Sequence, residues 1–235
     1  MRYFPSIAIA CCVLGAPAAV GQDRPGSAQT RPPWGNSPWV RLCETPTKTG
    51  KDLFGRDIAA GVRTCLIHHE QLSSATGAVV VAAAVRQAGA RQSFMVVMPT
   101  GVQLVPGARA YIYPADLWAK ALKKERIQPA DAPRIRTLNL RYVGCHAAGC
   151  VAEAEADLRL IAELKSSAGL VVSTLRSGRA IAYGISLGGF GMAYDGPPVD
   201  SAKFYAARSE LLRRLRERQV PRSQPPPQRP KAQDI

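Results

Sequence analysis

The chain has 235 residues, with 31 Lys and Arg against 17 Asp and Glu for a formal net charge of +14, and 46% of its residues are hydrophobic. That length permits one domain with a substantial core. No internal repeat, Walker loop, Rossmann fingerprint or paired-carboxylate constellation occurs, which argues against nucleotide-dependent and two-carboxylate enzymes.

Residues 1–21 carry one early cation, Arg2, and then an uncharged run over 7–20 that closes in small residues. This is the pattern of a secretory signal peptide, and the run is shorter than the roughly 18 residues a spanning helix needs. Cleavage before Gln22 uses Ala19 and Gly21 as the small flanking residues. Cleavage after Ala19 and lipid attachment at Cys11 or Cys12 are the alternatives. Residues 22–36 (QDRPGSAQTRPPWGN) lack periodicity and read as a flexible leader. A β-sandwich domain is expected over 37–199, a basic amphipathic helix over 200–219 and a disordered, proline-rich tail over 220–235.

Removal of the signal leaves Cys43, Cys65, Cys145 and Cys150, an even number in a chain bound for an oxidising compartment. Four cysteines allow three connectivities. Cys43–Cys65 and Cys145–Cys150 are favoured because each pair is close in sequence and joined by a glycine-containing stretch that can turn. A metal reading draws on His68, His69 and His146 beside these cysteines, but no CxxC or HxxxH spacing supports zinc. His68 and His69 are adjacent on a strand, so they point to opposite faces, one packed and the other solvated.

The core reads mainly as strand. Residues 77–85 (GAVVVAAAV) and 93–98 (SFMVVM) flank a turn at 87–90 and form a buried hairpin. Leu138, Leu140 and Tyr142 alternate with more polar neighbours, as do Ile181, Tyr183, Ile185 and Leu187. Residues 171–175 and 179–185 join across Arg176-Ser177-Gly178, a second hairpin signal. Helices are expected over 116–126, with Leu117, Trp118, Ala121 and Leu122 on one face, and over 157–164. A third follows Asp200, with Phe204, Arg208, Leu211, Leu212 and Leu215 in one stripe. The fold expected is mainly β, an antiparallel immunoglobulin-like β-sandwich with a helical insertion and a C-terminal amphipathic helix.

The run CHAAGCVAE at 145–153, a short helical segment, a hairpin and then SLGGFGMAYDGPPVD at 186–200 together resemble the invasion-associated locus B family of proteobacterial envelope proteins. Trp39 four residues before Cys43, Cys65, and the 98–107 segment (MPTGVQLVPG) extend the resemblance over about Trp39 to Gln219. It implies a secreted β-sandwich of the periplasm or cell surface, associated in some pathogens with host-cell entry, and brings no catalytic residues. The basic segment 115–134 departs from the family pattern as a helical insertion between two strands.

One motif points to an enzyme. GISLG at 184–188 fits the GxSxG nucleophile elbow of esterases, with Ser186 as nucleophile. That fold orders its triad as serine, acid, histidine, whereas His68, His69 and His146 all precede Ser186. Gly188, Gly189 and Gly191 are also poor helix formers just where the elbow requires a helix. The preferred reading is therefore a non-catalytic envelope or surface interaction protein in the periplasm, at the outer membrane surface or secreted. A serine hydrolase built on Ser186 is the alternative. No cofactor, metal or nucleic acid is expected, and no transmembrane span after signal removal. From Asp200 onward there are nine cations against four anions. Arg213, Arg214, Arg216 and Arg218 face away from the apolar stripe and would contact an anionic partner: phospholipid, lipopolysaccharide or an acidic protein.

Overall fold

The computed structural model describes residues 37–219. The expected signal peptide, leader and proline-rich tail lie outside the described residues. Nine strands form one sheet. β1 (Val40–Glu44), β4 (Thr64–Leu72), β5 (Val79–Ala88), β6 (Arg91–Met98) and β9 (Gly149–Glu155) make one half. β7 (Ala108–Tyr113), β10 (Gly169–Arg176) and β11 (Arg179–Ser186) make the other, and β8 (Arg136–His146) joins them. The order is β1-β4-β5-β6-β9-β8-β7-β10-β11, antiparallel at every step. Two short strands, β2 (Gly50–Lys51) and β3 (Asp57–Ile58), form a separate hairpin.

The mainly β, antiparallel architecture is as expected, and its two layers are the halves of one curled sheet. β8 makes this possible. Its residues from Arg136 to Leu140 pair with β7, those from Arg141 to His146 pair with β9, and a register shift between Tyr142 and Gly144 bends the strand between them. The halves enclose a common core. Ile67, Val85, Phe94 and Val96 from one side meet Ala110, Leu170, Val172 and Ile185 from the other. Across that core the Tyr142 hydroxyl is 2.9 Å from Thr174 Oγ1.

The curl brings the sheet's outer edges together. The Trp39 indole donates to the Ser186 carbonyl at 2.8 Å, and Gln71 Nε2 donates to the Gly184 carbonyl at 2.8 Å. Ladder bonds do not close the barrel there; these side chains do.

Among the described residues, four helices cover the sheet. α1 (Ala115–Leu122) is shorter than expected, because Lys124 adopts φ 59° and turns the chain. A 3-10 segment (Pro129–Arg134) follows, so the basic insertion lies between β7 and β8. Leu117 is buried, but Leu122 is 65% exposed and leaves the expected face. Trp118 lies flat over β10 and β11, where a Cβ at Gly169 would fall 1.9 Å from its ring and one at Gly184 would fall 3.0 Å away. Glycine is therefore required under this aromatic ring. α2 (Leu158–Ser166) starts at Asp157, whose carboxylate accepts from Leu160 N at 2.7 Å. α3 (Phe190–Asp195) and α4 (Ser201–Gln219) follow.

The other face of β1, β4, β5, β6 and β9 carries a second apolar layer. Leu66, Ala84, Met95 and Val97 lie under Phe54 of the β2–β3 excursion, while Val40 and Leu42 lie under Phe204 of α4. Among the described residues, no helix is long and apolar enough to cross a membrane.

Candidate functional site

Both disulfides join residues that already face each other across a ladder. Cys43 of β1 is opposite Cys65 of β4, and Cys145 of β8 is opposite Cys150 of β9, with Cα separations of 4.0 and 3.9 Å. The favoured connectivity is the one observed. In a chain-entropy picture the 22-residue loop contributes about 3 kcal/mol and the 5-residue loop about 2 kcal/mol. All four described cysteines are consumed in this way, so no thiolate stands beside His68, His69 or His146. Among the described residues no cluster of three or more His, Cys, Asp or Glu side chains is arranged to hold a metal.

The segment around Ser186 differs from expectation. β11 ends at Ser186, and after Leu187-Gly188-Gly189 a helix does begin, at Phe190. Gly189 sits at φ 88°, the left-handed geometry glycine supplies, and Phe190 is buried against Trp39 at 5.0 Å between ring centroids. Burial of that aromatic outweighs the poor helix propensity of the glycines. Ser186 is exposed, and its Oγ accepts from Gly188 N at 3.2 Å.

A histidine also approaches this serine, as chain order alone did not suggest. His69 packs edge-on to Trp39 at 5.6 Å and interacts with the main-chain carbonyl of Ser186. Burial lowers the basicity of its imidazole, against the opposing pull of Glu70 and of that carbonyl. Its Nδ1 is buried without a partner. Glu70 faces the opposite side of β4, where Arg208 of α4 holds both carboxylate oxygens at 2.5 and 2.9 Å. Serine, histidine and acid are thus near one another in the fold, but the imidazole is directed to a backbone carbonyl and the acid to an arginine.

A model of the family described as "Invasion associated locus B (IalB) protein" matches residues 132–198, the stretch running through β8, β9, α2, β10, β11 and α3. Two curated relatives, each called an invasion protein B homolog, come from Brucella abortus strain 2308 and Brucella abortus biovar 1 strain 9-941. Each is 31% identical over 134 residues, which is 56% of this chain and 66% of the relative. The chain is thus similar to members of the invasion associated locus B family. The alignment spans just under two thirds of the relatives' length. Among solved structures, the crystal structure of invasion associated protein B from Bartonella henselae is similar at a TM-score of 0.43 and 18% identity, covering 72% of this chain and 98% of that one.

Outside the family match lies α4, the expected basic surface. Phe204 and Leu215 are buried and Leu212 is partly buried, as the stripe requires, but Leu211 is 47% exposed. All four arginines face solvent, yet they are not equivalent. Arg213 bonds Glu210 at 2.7 Å and also pairs with Glu217, while Arg214 bonds Glu210 at 2.6 Å. The Arg213 and Arg214 guanidiniums hold the Glu210 carboxyl well below the usual carboxylate range. Arg216 and Arg218 are exposed, and no ion pair involves them among the described residues. Of the four arginines, Arg216 and Arg218 therefore lack an acidic partner among the described residues.

A broad open groove runs beside the β2–β3 excursion, lined by Arg56, Arg86, Arg91, Arg141, Glu153 and Glu155. Much of its charge is satisfied internally. Arg56 pairs with Glu153 at 3.0 Å and Arg86 with Asp52 at 3.0 Å.

Proposed function

We propose that this protein is an exported, non-catalytic interaction module of the bacterial envelope, acting in the periplasm or at the outer surface and contacting anionic envelope components. The observation that carries the reading is the pair of cross-strand disulfides, which use every described cysteine. Bonds of this kind persist in oxidising compartments and are rare in the cytosol. The relatives' name, invasion protein B homolog, makes contact with host or partner proteins the corresponding proposal at the cell surface. Arg216 and Arg218, without acidic partners, supply cations toward an anionic surface.

Thiol trapping in fractionated cells tests the compartment. The protein should co-fractionate with the envelope and accept a maleimide only after reduction and denaturation. A cytosolic protein that labels without reduction would sink the reading.

One observation favours the hydrolase alternative: the strand-turn-helix at Ser186 with His69 beside it. Because the Ser186 hydroxyl is occupied by Gly188 N and the histidine interacts with the main-chain carbonyl, a fluorophosphonate probe should leave Ser186 unmodified. Stoichiometric labelling that disappears in Ser186→Ala would establish the serine as a nucleophile.

A further inference from the structure

Four loops leave the sheet at the same end of its strands: β4–β5 (73–78), β6–β7 (99–107), β8–β9 (147–148) and β10–β11 (177–178). None contains an aspartate or glutamate. The connections at the opposite end carry both signs, with Asp52, Asp57, Asp116, Asp131 and Asp157 set among a larger number of lysines and arginines. These four loops therefore offer no acidic side chain to repel an anion.

The 99–107 loop carries the most exposed apolar residues of this end. Leu104 is 49% exposed and Val105 is 100% exposed, with Pro106 next to them. The loop is nevertheless ordered by the sheet. Gln103 N donates to the Leu175 carbonyl at 2.8 Å, Gly107 N to the Leu104 carbonyl at 3.0 Å, and the Thr174 hydroxyl to the Gly107 carbonyl at 3.4 Å. These bonds fix an apolar prow against the end of β10.

Cations stand directly behind it. Arg176 and Arg179 are cross-strand partners on either side of the Ser177-Gly178 turn, where both turn residues have positive φ. Both arginines are exposed, and no described acidic group pairs with either. Like charges directly opposite on a ladder are destabilising, so this pair lowers stability unless an external anion compensates it. The Arg176 guanidinium reaches the 99–107 loop, with Nε 3.7 Å from the position of a Cβ at Gly101. Arg109 is exposed too, opposite Ser173 and Asn139. The C-terminal half of α4 packs on Gly77 of the β4–β5 loop through Leu212 and Leu215, bringing Arg216 and Arg218 to this same strand end.

We infer that the Leu104-Val105-Pro106 tip and the Arg176–Arg179 pair form a docking surface for a bilayer bearing anionic phospholipids. The tip enters the headgroup boundary while the arginines pair with lipid phosphates. A convex apolar tip fits a deformable layer, and the unpaired Arg176 and Arg179 guanidiniums behind it complement its charge. The inference rests on the anionic-envelope reading above and assigns it a place and a ligand class.

The test is co-sedimentation of the oxidised, full-length protein with vesicles of phosphatidylcholine alone or mixed with phosphatidylglycerol, at low and high salt. Wild type should bind the phosphatidylglycerol vesicles selectively and release them at high salt. L104S/V105S and R176Q/R179Q should each bind about tenfold more weakly at low salt, with unchanged near-ultraviolet circular dichroism, because all four side chains are solvent-facing or partly so. R216Q/R218Q should lose less than either pair. If wild type binds selectively and either tip pair binds as well as wild type, the tip is overturned while the anionic-envelope reading stands. If wild type shows no preference for phosphatidylglycerol vesicles, both fail for phospholipid.

Discussion

Trp39→Ala is expected to lower the stability of the folded chain by about 3–5 kcal/mol, read as a shift in the denaturant midpoint. Trp39 is 2% exposed, stacks edge-on with both Phe190 and His69, and donates its indole N–H to the Ser186 carbonyl. The donor and acceptor are 147 residues apart and belong to opposite margins of the nine-stranded sheet. Truncation would open a cavity between β1, β11 and α3 and leave His69 without its aromatic neighbour. Trp39→Phe keeps part of the packing while removing the donor and some ring volume, so it should cost less, about 1–3 kcal/mol. A Trp39→Ala protein within about 1 kcal/mol of wild type would mean that Gln71 and the core hold the curl closed without it.

Local pattern made several of these elements legible. The apolar runs at 77–85 and 93–98 supply most of β5 and β6, with residues 77–78 left in the preceding loop, and the Ser177-Gly178 turn supplies the two positive φ angles that a tight hairpin demands. The basic insertion falls between two strands because its Lys and Asp content interrupts both strand patterns. What local pattern does not carry is the neighbour relation between β6 and β9, or the passage of β8 from one half of the sheet to the other. Those depend on long-range pairing. α3 escaped for a related reason: Gly189 and Gly191 argue against a helix, and only the docking of Phe190 beneath Trp39 reverses that argument.

The site was legible to a similar degree. Cysteine spacing indicated both disulfides, and cross-strand opposition explains why that pairing forms rather than the two crossed ones. The arginines of α4 were assigned to the solvent face, where they lie. Glu210 and Glu217 stand three and four residues from Arg213, a spacing at which helical ion pairs form, and that spacing was present in the sequence to be read. The approach of His69 to Ser186 could not be read, since it follows from the curl alone. The same holds for the absence of acids from all four loops at one strand end, which appears only once loops distant in sequence are sorted by the end at which they emerge.

Acid should weaken the fold through His68. This side chain is buried between Phe54 at 5.8 Å and Phe204 of α4 at 5.2 Å, with Val40 of β1 and Ala84 of β5 beside it on the ladder and its Nδ1 unpartnered. The charged groups facing it are Arg208 of α4 and neighbouring His69. Burial, then those two charges, lower its pKa from the ordinary 6.5 to about 3, although the Leu66 carbonyl favours the protonated form. The native state therefore holds His68 neutral where the unfolded chain would protonate it. Its contribution to stability is full above about pH 6.5 and is lost as pH falls toward about 3, at up to ~1.4 kcal/mol per pH unit. Between about pH 7.5 and about pH 5, before most carboxylates titrate, wild type should lose about 2 kcal/mol. His68→Leu should flatten that slope whatever its own packing cost, while His69→Gln should leave most of it. Because Phe204 rests on the imidazole, amide protection factors, corrected for the intrinsic pH dependence of exchange, should fall toward about pH 5 more in α4 than in β5 or β6. A wild-type stability that is flat across this range, or a His68→Leu slope equal to that of wild type, would show that His68 is not the acid-sensitive group.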